Sequence, residues 1–265
     1  MYIMKQVLLI DASPMFREFF KEKLTAEKIT VDIANGRRDA YTRLVSNLPD
    51  LVIIDVEDDI ENLIYFLESK QADPNARTIP IIVCGPEIPR ERVASLAQYG
   101  VVKYFNKPIK FDVFFDSVGR ILKTAFTIDS TPCILEIHLN GNIIFIEIAE
   151  GMNREKISLL KYKLPELIDV NNLTNPKVIL MMTKYNKAYL NQIFYHFVDG
   201  ANLELLFDNI TADKRIPKTN IKVLSLDRFT SELIEGHPEY SGIEVTDNLN
   251  RVLHKLLDNS AGVNA

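Results

Sequence analysis

The chain has 265 residues, 47% hydrophobic and 25% charged, a composition ordinary for a globular protein and a length that suggests two domains. A formal net charge of −5 argues against general nucleic-acid binding. With no apolar run of about 18 residues and no charged-then-apolar amino-terminal segment, neither a membrane span nor a secretory signal is expected, and a cytoplasmic location is.

In chain order, Val7-Leu8-Leu9-Ile10 is an all-apolar run that ends on Asp11. A strand solvated on one side would alternate, so the run predicts a strand buried on both faces. Ser13 and Pro14 then start a helix, as cap and first helical residue, with Phe16, Phe19, Phe20 and Leu24 on one face. A strand is expected over 30–34 and a helix over 37–48, closed by Pro49. The second all-apolar run, Leu51-Val52-Ile53-Ile54, ends on Asp55, and the acidic loop Glu57-Asp58-Asp59 leads to an amphipathic helix. Ile79 to Cys84 reads as another buried strand, 90–99 as a helix, 101–105 as a strand, and 111–123 as the last helix of this half. Five strands alternating with five helices predict a doubly wound parallel sheet, because parallel neighbours need crossovers.

Residues 126–132 lack periodicity and read as a linker between a domain at 1–125 and a second, smaller α/β domain at 133–265. The second opens on a hairpin about Asn140-Gly141-Asn142, with His138 on its polar face. After it come a helix over 153–168 that Pro165 should kink or shorten, a strand at 178–182, helices at 189–198 and 203–210, a strand at 221–226 and a closing helix at 246–257. Phe194, Tyr195 and Phe197 read as core. Cys84 and Cys133 suit reduced core thiols better than a disulfide or a metal clip.

Three strands thus deliver Asp11, Asp55 and Lys107 to the carboxyl edge of one sheet, where open α/β folds place their ligands. Paired carboxylates suit a hard divalent ion such as Mg²⁺, a lysine can neutralise a phosphoryl oxygen, and an aspartate so placed can act as a nucleophile.

These runs, with Ile79-Pro80-Ile81-Ile82-Val83 and Tyr104 through Lys107-Pro108, resemble the receiver domain of two-component response regulators, a flavodoxin-like fold. The intervals of 44 residues from Asp11 to Asp55 and 52 from Asp55 to Lys107 fit that family's pattern. The resemblance covers about residues 4–124 and implies Asp55 as phospho-acceptor, Lys107 as the phosphate-contacting lysine and Asp11 as part of an acidic Mg²⁺ pocket. Glu57 could add its side chain to a cation there. Tyr104 matches the family's switch aromatic, or is a packing residue at a strand end.

Two positions depart from the pattern. Ala12 stands where the family carries a second metal-binding acid. Gly85, followed by Pro86, stands where it carries the threonine or serine whose hydroxyl holds the phosphoryl group and pulls the following loop toward the phosphate. The expected protein is therefore not an enzyme but a response regulator, or a pseudo-receiver that binds partners whatever its phosphorylation. An aspartyl-phosphate hydrolase is a rival from another class. Partners implied are a sensor histidine kinase or phosphotransfer protein and a downstream protein, with a homodimer allowed and no nucleic acid or membrane. The order of elements in the second half resembles the sulfate transporter and anti-sigma antagonist (STAS) domain, an interaction module.

Overall fold

The structure, a computed structural model, describes residues 4–10, 13–56, 60–185, 193–225 and 228–248. The chain divides into two compact units, Met1–Ile128 and Asp129–Ala265, so the second is not the smaller one.

In the first unit, strands β1 (Gln6–Ile10), β2 (Thr30–Ala34), β3 (Leu51–Asp55), β4 (Ile81–Gly85) and β5 (Val101–Asn106) alternate with helices α1 (Pro14–Ala26), α2 (Arg37–Asn47), α3 (Ile60–Ala72), α4 (Arg90–Leu96) and α5 (Phe111–Leu122). All pairings are parallel, in the order β2-β1-β3-β4-β5. The two strands that end in the sequence on acids, β1 and β3, lie side by side because both have nothing to offer solvent. Leu8, Ile10, Val52, Ile54, Ile81 and Val83 pack on Leu44 of α2 and Leu63, Phe66 and Leu67 of α3. Residues of the opposite parity, Val7, Leu9, Ile53 and Ile82, are equally buried. On that side stand α1 and α5, locked by the rings of Phe19, Phe20, Phe111, Phe114 and Phe115. The helix expected over 90–99 finishes as a 3-10 turn, Ala97–Tyr99, closed by Gly100 at φ +81°.

The second unit is a mixed sheet of order β10-β9-β8-β7-β6, built from β6 (Ile134–Asn140), β7 (Ile143–Glu150), β8 (Lys177–Tyr185), β9 (Ile221–Ser225) and β10 (Glu244–Thr246). Only the hairpin pair β6–β7 is antiparallel. Ile144, Ile146, Val178, Leu180 and Val223 face one core with α6 (Arg154–Ser158), α7 (Leu160–Val170), α8 (Ile193–Thr211) and α9 (Arg228–Gly236). The expected helix over 153–168 is two helices, and it breaks at Leu159 while Pro165 sits inside α7. The two helices expected across 189–210 are one from Ile193, continuous through Gly200, with 189–192 outside the described residues. The side chains of Phe194, Tyr195 and Phe197 also lie outside them. Helix α9 and strand β10 were not expected. Thr246, the predicted start of a closing helix, ends β10, and that helix from 249 on is outside the described residues.

Residues 129–132, expected as linker, are bonded into the second unit. Asn153 caps α6 by accepting from Lys156 N (3.1 Å), and its Nδ2 donates to the carbonyls of Asp129 (2.6 Å) and Thr131 (3.2 Å). Gly151 lets Pro132 approach, since a Cβ there would lie 2.7 Å from the Pro132 carbonyl oxygen.

One buried cation organises the far end of the first sheet. Lys70, in the last turn of α3, is fully buried, and its Nζ donates to the carbonyls of Arg77 and Tyr99, each at 3.0 Å. Burial pushes its pKa down. A Cβ at position 100 would sit 2.8 Å from the same Nζ, so the glycine is needed both for its φ and for the ammonium. Replacing Lys70 by methionine keeps volume but leaves two carbonyls without donors, and is expected to destabilise the amino-terminal unit by about 2–4 kcal/mol. Urea unfolding of the full chain would show this as a lower midpoint for that unit's transition; an unchanged midpoint contradicts the role.

Candidate functional site

At the carboxyl edge of the first sheet β3 delivers Asp55. Its side chain is 1% exposed, and Lys107 Nζ lies 2.6 Å from its Oδ1. A carboxylate so buried is tolerable only when paired. Lys107 reaches it from just past β5, across β4, and its side chain keeps 28% exposure, so the pair has a wet side. The reach is fixed by backbone: Lys107 N donates to Gly85 O at 2.8 Å and Val56 N donates to Cys84 O at 2.7 Å. Lys107 Nζ also lies 5.7 Å from the centre of the Phe16 ring, within cation–π range. Phe16 thus walls the ammonium, whereas its spacing in sequence marked it only as part of α1's apolar face.

Cys84 stands opposite Asp55 in the register of β3 and β4. Burial, reinforced by the Asp55 charge, pushes its thiol well above the ordinary range. It is a neutral wall of the site, in keeping with the reduced thiol expected.

The expected switch positions, Gly85 and Tyr104, form a second feature of this edge. A Cβ on Gly85 would lie 2.6 Å from Tyr104 Oη and 3.4 Å from its Cζ. The phenol donates to the carbonyl of Pro86 at 2.7 Å, and burial raises its pKa. The tyrosine therefore occupies the space a side chain at 85 would need, and it ties the loop after β4 to β5. In the conformation described Tyr104 packs over Gly85 and tethers the loop after β4.

Asp11, Ala12 and Glu57 lie outside the described residues. The structure therefore brings together Asp55 with Lys107 and Gly85 with Tyr104. As to the Mg²⁺ the resemblance implies, the described donors amount to one carboxylate already bonded to a lysine, and no group of three His, Cys, Asp or Glu suited to a metal occurs among the described residues. Those donors alone do not make a Mg²⁺ site, and no step below is routed through one.

Comparisons with known proteins agree with this half of the chain. No protein-family profile matches. Over 119 residues, 44% of this chain and 97% of the relative, it is 29% identical to the chemotaxis protein CheY of Halobacterium salinarum. Similar solved structures include the chemotaxis response regulator CheY4 of Vibrio cholerae, at 21% identity over 45% of this chain and 100% of that one, TM-score 0.41. A response regulator receiver protein from Pseudomonas putida aligns at 22% identity over 45% of this chain and 99% of that one, also at TM-score 0.41. The amino-terminal unit is thus receiver-like, similar in sequence to a CheY and built on the β2-β1-β3-β4-β5 parallel order of flavodoxin-type sheets. These relatives cover less than half of this chain, so the kind of the second unit rests on its own architecture.

The Gly85–Tyr104 fit is testable by a double-mutant cycle. Gly85→Ala alone should cost about 1–3 kcal/mol, because Tyr104 must give way. In the Tyr104→Phe background the nearest clashing atom is gone and the same substitution should cost less than half as much. Unfolding measurements giving additive costs would show that the two positions do not touch.

Proposed function

We propose that the chain is a two-component response regulator whose receiver-like unit accepts a phosphoryl group on Asp55 and whose second unit is a protein-interaction output. The observation that carries the reading is the Asp55–Lys107 pair at the carboxyl edge of a parallel sheet. In the step envisaged an Asp55 carboxylate oxygen attacks the phosphorus of a phosphohistidine on a partner kinase or phosphotransfer protein. The P–N bond breaks, its electrons stay on the imidazole, which takes up a proton, and an acyl phosphate forms. Lys107 is placed to move its ammonium from the carboxylate onto the incoming phosphoryl oxygens, which offsets the charge that develops there. Similarity to a chemotaxis CheY over nearly that protein's whole length supports a signalling role of this class.

A second reading, the phosphorylation-independent pseudo-receiver, is favoured by a separate observation. Tyr104 Oη fills the place of the missing hydroxyl-bearing side chain at Gly85 and is already bonded to Pro86, so phosphate gains no hydroxyl there and the aromatic has no vacancy to move into. A missing hydrogen bond to a charged group is worth about 1.5–3 kcal/mol. Acceptance at Asp55 is therefore expected to be short-lived or slow relative to a receiver with that hydroxyl.

For the second unit, the interaction role and the STAS-like reading rest on its order of elements alone. We place the protein in the cytoplasm; no helix among the described residues is long and apolar enough to cross a membrane. The hydrolase rival predicts turnover of a generic phosphomonoester, which this reading does not.

The test is incubation of the full chain with acetyl phosphate and Mg²⁺, read by intact mass beside Asp55→Ala. A single phosphate adduct lost in the variant is the expected result. No adduct under conditions that label the Halobacterium CheY would leave the pseudo-receiver standing, and an adduct that persists in Asp55→Ala would remove Asp55 from its role.

A further inference from the structure

Strand edges are where chains meet unintended partners, and proteins blunt them with short strands, bulges, inward charges or proline. Three of the four edges here are treated in that way. Strand β10 has three residues. Strand β5 carries a register shift opposite Ile81/Ile82, and β2 holds Asp32, bound by Arg43. Strand β6 has none of these devices. It runs seven residues without a proline, a lysine or a break in register, and among the described residues it pairs with β7 alone. Its root is fixed as well, since Lys156 Nζ donates to the Cys133 carbonyl and Asn153 Nδ2 to the carbonyl of Thr131.

The pattern along this edge specifies what it can pair with. Asn140 and Ile143 close a two-residue turn and are opposite one another, so they form a hydrogen-bonded pair, and the alternation puts the next such pairs at positions 138, 136 and 134 of β6. The backbone groups of Leu135, Ile137 and Leu139 consequently point to the open edge. Their side chains lie on the core face yet stay half-buried, since among the described residues no further strand flanks them. On the other face Glu136 and His138 are more than half exposed, with His138 Nε2 3.2 Å from Glu136 Oε2. Glu136 also faces Glu147 across the hairpin.

We infer that β6 is the pairing edge for a second copy of this chain, antiparallel about a two-fold axis through Ile137. Only one centre satisfies everything on this strand. With Ile137 opposite its own copy, the outward backbone groups of 135, 137 and 139 meet those of 139, 137 and 135. Leu135 then packs on Leu139, and Glu136 stands opposite His138 twice, in the closer, non-hydrogen-bonded positions. Moving the centre to position 136 or 138 keeps the backbone pairing but sets Glu136 against Glu136, or His138 against His138. The self-complementary order Leu-Glu-Ile-His-Leu thus selects both partner and register, and the result is a ten-stranded sheet. An interface of one seven-residue edge is below the usual area of a tight complex, so the dimer is weak, of micromolar affinity or looser. On the proposed function it gives the output unit a second valence.

Sedimentation equilibrium of the full chain should show a concentration-dependent dimer. His138→Glu should weaken it about tenfold, because both cross-strand pairs turn repulsive, and Glu136→Lys combined with His138→Glu should restore it with the charges exchanged. Under mild oxidation Ile137→Cys should cross-link two chains and Leu139→Cys should not, since position 139 meets 135. A monomer at every concentration, a dimer indifferent to His138→Glu, a charge exchange that fails to restore a folded protein's association, or equal cross-linking at 137 and 139 would each overturn the proposal.

Discussion

A carboxylate with 1% of its side chain exposed, held 2.6 Å from an ammonium, is the constraint around which the amino-terminal unit is arranged. An ionised group in such a place costs several kcal/mol unless its partner is well positioned. The partner comes from the far side of a neighbouring strand, so β3, β4 and β5 must keep their mutual register for the pair to exist. The all-apolar strands supply that rigidity: Leu51 to Ile54 and Ile81 to Cys84 are fully buried, and a slip of one residue would turn Asp55 to the opposite face of the sheet. Fold and site are thus one requirement. The sheet exists as a buried sheet because its central strands are apolar, and the carboxylate that ends β3 is chemically useful because the four residues before it are not polar.

The same edge shows how one departure from the receiver pattern, Gly85, is accommodated. A glycine at position 85 removes a hydroxyl, and Tyr104 takes the vacated volume and bonds to Pro86. The substitution is therefore not a hole. It replaces a contact that would depend on bound phosphate with one that is permanent. The chemistry of Asp55 and the conformation of the loop after β4 are then less tightly joined than in a domain where a single hydroxyl serves both, which gives the pseudo-receiver reading its physical content. Dimerisation through β6, in the other unit, needs neither.

Much of this was legible in the sequence because burial on both faces leaves a plain record. The runs ending on Asp55 and Cys84 predicted central strands, and the spacing to Lys107 predicted the convergence that the ion pair shows. Features written in three dimensions were not legible. Lys70 at the end of an amphipathic helix reads as solvated, and only the convergence of two distant carbonyls makes it a buried anchor. Phe16 obeys helical spacing and so reads as core, although its ring also borders Lys107. In the second unit β10 has three residues and no apolar run, its place being held by pairing with β9 and by a Lys222–Glu244 contact of 2.9 Å. The two helices expected across 189–210 are one, and α8 passes through Gly200, where a Cβ would come within 3.6 Å of the Phe229 ring. Asp11 and Glu57, outside the described residues, leave the acidic side of the site as an expectation from sequence.

The account rests on Asp55 and Lys107 being energetically one unit. The direct measurement is a thermodynamic cycle over Lys107→Met, Asp55→Asn and the double variant, with unfolding free energies read on the full chain at neutral pH. The account predicts that Lys107→Met alone is destabilising by about 1–3 kcal/mol, and that most of this loss disappears when Asp55 is also made neutral. Costs that simply add, with no coupling between the two positions, would contradict it.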